Sequence, residues 1–501
     1  MRSKWYLKLN LEIFIIFIFS VFIYVYRLNS IPTSFHGDEG ETALQALEIL
    51  KGNAGLVGVG WFDLPLLSFV PHAAGMLLWG ENIIGVRLGS VIFGLLTIPV
   101  FYLFVKELFK TRIAFISTLL LATSHLWIAL SRFGTIYPQA AFLMIATLYF
   151  LFKALKTQKL IYFALTGIFL GLSFYSYYAI RILPFIMVIP IFYYLMRSGS
   201  SKKTLLQIGI LIVSALVIFS PQGLFYLKTP NAFLSRTDAV YIFSETGRQW
   251  TNYNKSDPEI LLEQTKRTFN IFAGDNSTQY GYKGQLLDWA SIIFLILGLA
   301  YVFRRITSLN HLFIIVWLGL SLVGQILTTI PPPFFLPRFV VGLPVLYILI
   351  AQGIDRFYLL VKIKGVSLAN IVIAVIIIYI VGTNIYTYFI SYPKQTAGDP
   401  NARAATKIAS YINSQSSPYS LYFMTEPALY PGFGTLKFLT GGKSLTLSAT
   451  DSEQSIGSTS YIVYPHRLPE LSIIMKKYPN GKLMEYRDID GRIQFYIYKI
   501  E

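Results

Sequence analysis

The 501-residue chain contains no cysteine. Disulfides, thiolate catalysis and zinc sites built on cysteine are therefore excluded, while the compartment stays open. Charge is the second scarcity. Only 13% of residues are Asp, Glu, Lys or Arg, against about a quarter in ordinary soluble domains. Acids are scarcer still: 25 against 42 Lys and Arg, a formal net charge of +17. A chain that is 54% hydrophobic and 16% aromatic is neither disordered nor fibrous, and it is not an ordinary soluble enzyme. The remaining class is a multi-spanning membrane protein. A basic balance can signal nucleic acid, but here the basic residues stand between apolar stretches, so no nucleic-acid partner is expected. The few histidines, among them His72, His125, His311 and His466, are scattered and suggest no metal site.

A bilayer span needs about 20 mostly apolar residues. Read on that measure, the sequence shows about eleven spans: 11–26, 83–105, 113–130, 139–152, 160–178, 182–196, 204–220, 286–303, 309–329, 339–355 and 366–390. The first reads as a retained helix rather than a signal peptide. No small-x-small cleavage site precedes Arg27, and Tyr24–Tyr26 is bulky. Lysine and arginine then set the orientation. Every second connection is basic: Arg2, Lys4 and Lys8; Lys106, Lys110 and Arg112; Lys153, Lys156 and Lys159; Arg197, Lys202 and Lys203; Arg304 and Arg305; Arg356, Lys362 and Lys364. The alternate short connections carry only Arg27, Lys51, Arg132, Arg181 and Arg338. The N-terminus is thus expected in the cytoplasm, and an odd number of spans places the C-terminus outside.

The expected organisation is a transmembrane domain over 1–392, with outer loops at 27–82 and 221–285, and an extracytoplasmic α/β domain over 393–501. In that tail, 401–413 has one apolar helical face. Tyr419–Thr425 and Tyr461–Tyr464 read as strands, and Leu483–Arg487 with Ile493–Lys499 as a hairpin turning at Asp490–Gly491. The tail carries neither a Gly-rich phosphate loop nor a metal cluster.

The chemistry-bearing residues gather on the outer side. His36, Asp38, Glu39 and Glu41 follow the first span, and the amphipathic stretch Thr42–Leu50 suits a helix along the membrane surface. The plainer reading makes Asp38 a helix N-cap and Glu41 part of a capping box. Arg132, Tyr137 and Gln139, then Tyr177, Tyr178 and Arg181, then Arg338 after Pro331–Pro333, lie at outer helix ends. A single such arginine can simply snorkel to headgroups. Several beside an acidic loop make a more specific pattern, because guanidinium groups bind phosphate through forked, charge-assisted hydrogen bonds. A base next to phosphate-binding arginines at a membrane surface suits a lipid-phosphate-linked substrate.

These residues, in this order, resemble the polyprenyl-phosphate-dependent glycosyltransferases of the protein O-mannosyltransferase and lipid A aminoarabinose transferase superfamily, which share the GT-C fold. The family's Asp-Glu pair and following amphipathic helix correspond to Asp38-Glu39 and Thr42–Leu50. Its entry to the second span corresponds to Trp79–Arg87, its "SR" pair to Ser131-Arg132, and its later motifs to Gly171–Arg181, Gly274–Asp288 and Pro337–Phe339. The resemblance covers about residues 20–355 of the sequence. Two departures stand out: Gln139 replaces an acid found in many members, and Phe62–Pro65 replaces the Glu-Lys-Pro of the aminoarabinose transferases.

The resemblance implies inverting transfer of a sugar, mannose by family, from a polyprenyl-phosphate donor to a hydroxyl on a protein, lipid or glycan acceptor. Asp38 would be the general base, with Glu39 positioning it or the acceptor. Arg132, Arg181 and Arg338 would neutralise the donor phosphate. His36, Tyr137, Gln139 and Tyr177 are candidates for acceptor or sugar contacts. No cofactor is expected. Some fold relatives use a divalent metal, but one acidic pair without a second cluster favours metal independence. Two rivals stand against this reading. A lipid-glycan polymerase or ligase would lack the Asp-Glu pair. A transporter is disfavoured by the absence of an inverted repeat and by spans almost free of carboxylates.

Overall fold

The computed structural model describes residues 2–199, 201–251, 255–273, 285–328, 336–394, 399–415, 419–441 and 458–500. Gly274–Asp275 and Pro331–Pro333, singled out above, lie outside the described residues. A helix covers every segment expected to span. Among the described residues, seven helices are long and apolar enough to cross a membrane. They are Ile83–Leu108, Tyr137–Thr157, Tyr178–Ser198, Lys202–Lys228, Leu309–Leu327, Leu343–Lys362 and Val366–Lys394. The shorter apolar helices Leu11–Val25, Leu160–Ser173 and Trp289–Arg304 account for three further expected spans. The expected span 113–130 is broken: Thr111–Thr123 and His125–Arg132 meet at 56°. Ser124 makes the break, because its extended backbone ends one helix while its hydroxyl caps the next by accepting from the Trp127 N–H.

Close backbone approach holds the bundle together. A side chain on Gly298 would meet the Leu349 carbonyl oxygen at 2.0 Å, and one on Gly353 would meet Phe294 O at 2.0 Å. Helices 289–304 and 343–362 therefore touch main chain to main chain, as small residues permit where lipid supplies no hydrophobic drive between helices.

The basic connections meet at one end of the bundle. Lys156 pairs with Glu107 at 3.1 Å, Asn310 donates to Leu108 O at 2.7 Å, and Lys203 donates to Gln158 at 2.8 Å. Arg112 Nε donates to the fully buried Asp355 at 2.6 Å. The Asp38 loop lies at the opposite end. One expectation changes there. The loop over 221–285 starts later and is helical where described: the 202–228 helix runs on through Pro221, and Pro230–Val240, Glu245–Thr251 and Asp257–Ala273 follow.

The tail forms the expected small α/β unit. Strands β1 (Tyr419–Met424), β2 (Ser458–Val463), β3 (Lys482–Arg487) and β4 (Ile493–Ile500) lie in the order β1-β2-β4-β3. The β1–β2 pair is parallel, and the other pairs are antiparallel. The Pro400–Ser414 helix packs Ala405, Ile408 and Ile412 against Leu421, Phe423, Ile462, Phe495 and Ile497 in a core of the tail's own. Arg403 ties that helix to the hairpin through Asp488 at 2.7 Å.

Candidate active site

The helix runs over Gly37–Leu50, with Asp38 and Glu39 in its first turn. Its N-cap is His36, whose Nδ1 accepts from the Asp38 N–H at 3.0 Å. Glu39 closes the box by accepting from the His36 N–H at 3.0 Å. This corrects the plainer sequence reading: neither Asp38 nor Glu41 is the capping group. The Asp38 carboxylate lies at the helix N-terminus, over the positive end of the helix dipole, with its side chain 25% exposed.

Glu39 faces the other way and is fully buried. Its Oε1 accepts from Arg87 Nε at 2.8 Å and from the Gly134 N–H at 2.9 Å, and its Oε2 from Arg87 Nη2 at 3.0 Å. Arg87 spends its remaining donors on Leu28 O, Pro32 O and Ser34 O, at 2.8, 3.3 and 2.9 Å. The first outer loop is thus folded around one guanidinium. Glu39, expected from sequence to position Asp38 or the acceptor, fixes the helix that carries Asp38. Arg87 was passed over in the sequence reading, although it closes the Trp79–Arg87 motif.

Arg132 also departs from its expected role in binding phosphate. It is fully buried and donates to Ile23 O, Tyr24 O and Ile31 O at 2.8–2.9 Å and to the Tyr388 hydroxyl at 3.2 Å. Its N–H groups hold the end of the first helix. Gln139 is buried within the 137–157 helix and lines no part of the cavity described next.

The other arginines do come together. Arg181 and Arg338 share a cavity of about 170 Å³ with Arg236, Tyr177 and Tyr178. Arg181 stacks over the Tyr178 and Phe233 rings, at 4.3 and 4.0 Å, and donates to Phe233 O at 2.8 Å. Arg236 lies over the Phe62 ring at 4.4 Å. Neither Arg181 nor Arg236 forms an ion pair with a carboxylate among the described residues. Arg236 was missed because its helix, Pro230–Val240, was read as featureless loop. Nothing in the sequence set it apart from Arg248 and Arg267 in the same outer loop. Its neighbour Ser235 donates to the Asp63 carboxylate at 2.6 Å. The segment that departs from the family's Glu-Lys-Pro is therefore the one Arg236 packs against.

Tyr177 lies in the connection between the 160–173 and 178–198 helices and joins the two halves of the site. Its ring meets Tyr137 edge-on at 4.8 Å. Burial pushes its hydroxyl above the ordinary range. The Arg338 and Arg236 cations oppose that shift, and the Asp38 carboxylate adds to it. One phenol is thus within electrostatic reach of Asp38 and of two arginines. Burial pulls the Arg338 guanidinium down; Tyr177 opposes that shift and Arg236 adds to it.

The tail covers the Asp38 helix. Thr435 donates to Phe35 O at 2.8 Å, and the Phe35 N–H donates to Thr406 at 3.3 Å. Burial pushes the Glu41 carboxyl up, against the pull of Lys437 from the tail, while Asp38 adds to the rise. A side chain on Gly40 would meet the Gly434 carbonyl carbon at 2.2 Å. Gly40→Ala is therefore expected to cost about 1–3 kcal/mol by forcing the helices apart, read as a lowered Tm of the purified protein. An unchanged Tm would show that the tail sits more loosely.

Among the described residues no three His, Asp or Glu gather as a metal-holding group. Residues 63–225 match the family described as dolichyl-phosphate-mannose-protein mannosyltransferase. An undecaprenyl phosphate-α-4-amino-4-deoxy-L-arabinose arabinosyl transferase of Pseudomonas aeruginosa is 27% identical over 208 residues, covering 39% of this chain and 37% of that protein. A Proteus mirabilis enzyme of the same name, numbered 2, is 25% identical over 215 residues, covering 41% of this chain and 38% of its own. These alignments therefore span less than half the length of the relatives. In fold the likeness extends further. The crystal structure of ArnT from Cupriavidus metallidurans bound to undecaprenyl phosphate superposes with TM-score 0.61 at 14% identity, over 100% of this chain and 98% of that one. The Archaeoglobus fulgidus oligosaccharyltransferase tethered to an acceptor peptide gives TM-score 0.51 at 13% identity, over 86% and 63%. The chain is thus a membrane protein of the GT-C fold, similar in sequence over part of its length and in architecture throughout to polyprenyl-phosphate-dependent glycosyltransferases.

Proposed function

We propose that the protein transfers a sugar from a polyprenyl-phosphate donor to an acceptor hydroxyl at the outer membrane surface, with inversion. The observation that carries this reading is the shared environment of Tyr177. Tyr177 lines the cavity in which Arg181, Arg236 and Arg338 gather, and its hydroxyl feels the charge of Asp38 as well as of two of those arginines. In the reaction the acceptor oxygen attacks the anomeric carbon, its proton passes to Asp38, and the bond from that carbon to the phosphate oxygen breaks. The phosphodiester monoanion leaves as a phosphomonoester that gains a second negative charge. In this reading Arg181, Arg236 and Arg338 stabilise that gain, which is stronger in the transition state than in the bound donor. In this reading the arginines supply the charge that a divalent metal would otherwise supply. Arg132 is set aside as a phosphate ligand because its donors are already engaged.

Orientation rests on the basic end of the bundle, which the positive-inside rule places in the cytoplasm. The family description favours mannose, and acceptors of protein, lipid or glycan type all stay open. Purified protein in lipid nanodiscs, offered polyprenyl-phosphate mannose and polyprenyl-phosphate aminopentose separately, tests the reading by mass spectrometry of the released lipid phosphate. Release with neither donor would sink it.

Each cavity arginine makes a charged contact worth about 1.5–3 kcal/mol. Arg236→Ala and Arg338→Ala should each raise the donor KM by about tenfold or more and leave the acceptor KM unchanged. Equal loss for both substrates would indicate a folding defect and remove the arginines from this role.

A further inference from the structure

The imidazole of His36 bridges carboxylates from the two ends of the chain. Its Nδ1 accepts from the Asp38 N–H at 3.0 Å and lies 3.7 Å from Asp38 Oδ1. Its Nε2 lies 3.4 Å from Asp399 Oδ2. The second Asp399 oxygen caps the first tail helix by accepting from the Asn401 N–H at 2.8 Å. With the Nδ1 lone pair engaged by a backbone N–H, the ring proton belongs on Nε2, facing Asp399. The hydrogen bond at one ring nitrogen thereby sets what the other can do. The surroundings make the arrangement firm. Phe35 is held on both its N–H and C=O by Thr406 and Thr435, and the His36 ring packs 5.6 Å from Phe133. Both bridging side chains are largely shielded, His36 at 15% and Asp399 at 26% exposed.

We propose that Asp399 is a positioning residue: by holding the Nε2–H of His36 it keeps Nδ1 as an acceptor and so fixes the backbone and carboxylate of Asp38. The opposite tautomer would turn an Nδ1–H toward the Asp38 carboxylate and release the Asp38 N–H. The tail therefore completes the catalytic loop through the 3.4 Å contact between His36 Nε2 and Asp399 Oδ2, beyond covering it. This inference rests on Asp38 being the base.

Two substitutions delete the bridge while keeping both helix caps. In Asp399→Asn the amide oxygen still caps Asn401, because Asn is as good an N-cap as Asp, but its NH2 group then opposes the Nε2–H. In His36→Asn the amide oxygen replaces Nδ1 under the Asp38 N–H, and nothing reaches Asp399. Steady-state transfer is measured with full-length protein in nanodiscs. Each single variant should lower kcat by about tenfold, below the roughly hundredfold produced by a full ångström of misplacement, with the donor KM unchanged. The double variant should be no slower than His36→Asn alone, and Asp399→Glu should recover part of the loss. Wild-type kcat in Asp399→Asn, or losses that multiply in the double variant, would overturn the proposal. The two readings fail separately. Undiminished turnover in Asp38→Asn removes the base assignment. An inactive Asp38→Asn beside a fully active Asp399→Asn removes only the positioning role.

Discussion

Asp38→Asn is expected to lower turnover by about three orders of magnitude, within the range that a positioned general base contributes. The substitution is close to isosteric. Asp38 accepts none of the helix-capping hydrogen bonds, since those belong to His36 and Glu39. Expression, membrane insertion and Tm should therefore stay at wild-type values. Donor binding should also survive, because the donor phosphate is assigned to the three cavity arginines and not to Asp38. The measurement is single-turnover transfer with saturating donor, alongside thermal unfolding of the same preparation. Turnover near wild type would remove Asp38 from the role. A fall in Tm equal to that of a core variant would mean that the carboxylate holds the fold instead.

Its neighbour should behave in the opposite way. Glu39→Ala leaves the Arg87 guanidinium charged and fully buried without its carboxylate. Breaking a buried pair by removing one partner costs about 3–5 kcal/mol, a large fraction of the stability of most domains. Glu39→Ala, and likewise Arg87→Ala, should give poorly expressed protein with a strongly lowered Tm, and activity should fall because the loop unfolds. Glu39→Ala combined with Arg87→Met should be more stable than Glu39→Ala alone, since the stranded charge is gone. A double variant less stable than either single one would show that Arg87 is needed for its carbonyl contacts rather than for the ion pair. The adjacent acids Asp38 and Glu39 are thereby separated, one by rate and the other by stability.

Apolar runs made the bundle legible, because a span declares itself by length and composition. Alternation made the tail's strands legible, and the Asp490–Gly491 turn marked their hairpin. Asp38 stood out because its neighbours form a recognisable loop. What stayed hidden depends on partners far away in the chain. Nothing local says that Arg132 turns inward to three carbonyls while Arg181 and Arg338 line a cavity. Nothing local says that Arg236 would join them across Phe62. That His36 and not Asp38 caps the helix was missed because histidine lies outside the usual N-cap set. The break at Ser124 was missed although Thr123-Ser124-His125 interrupts the apolar run there and serine is a common N-cap.

The clasp between the Asp38 loop and the tail also sets an order of events during synthesis. Phe35 and Thr435, which hydrogen-bond in the finished protein, are 400 residues apart in the chain. A ribosome adding about 5–20 residues per second delivers the second roughly 20–80 s after the first. Throughout that interval the bundle can insert and assemble, but the helix bearing Asp38 lacks its clamp. The Asp38 helix is therefore fully clamped only when the tail arrives and docks, after the membrane domain has been made.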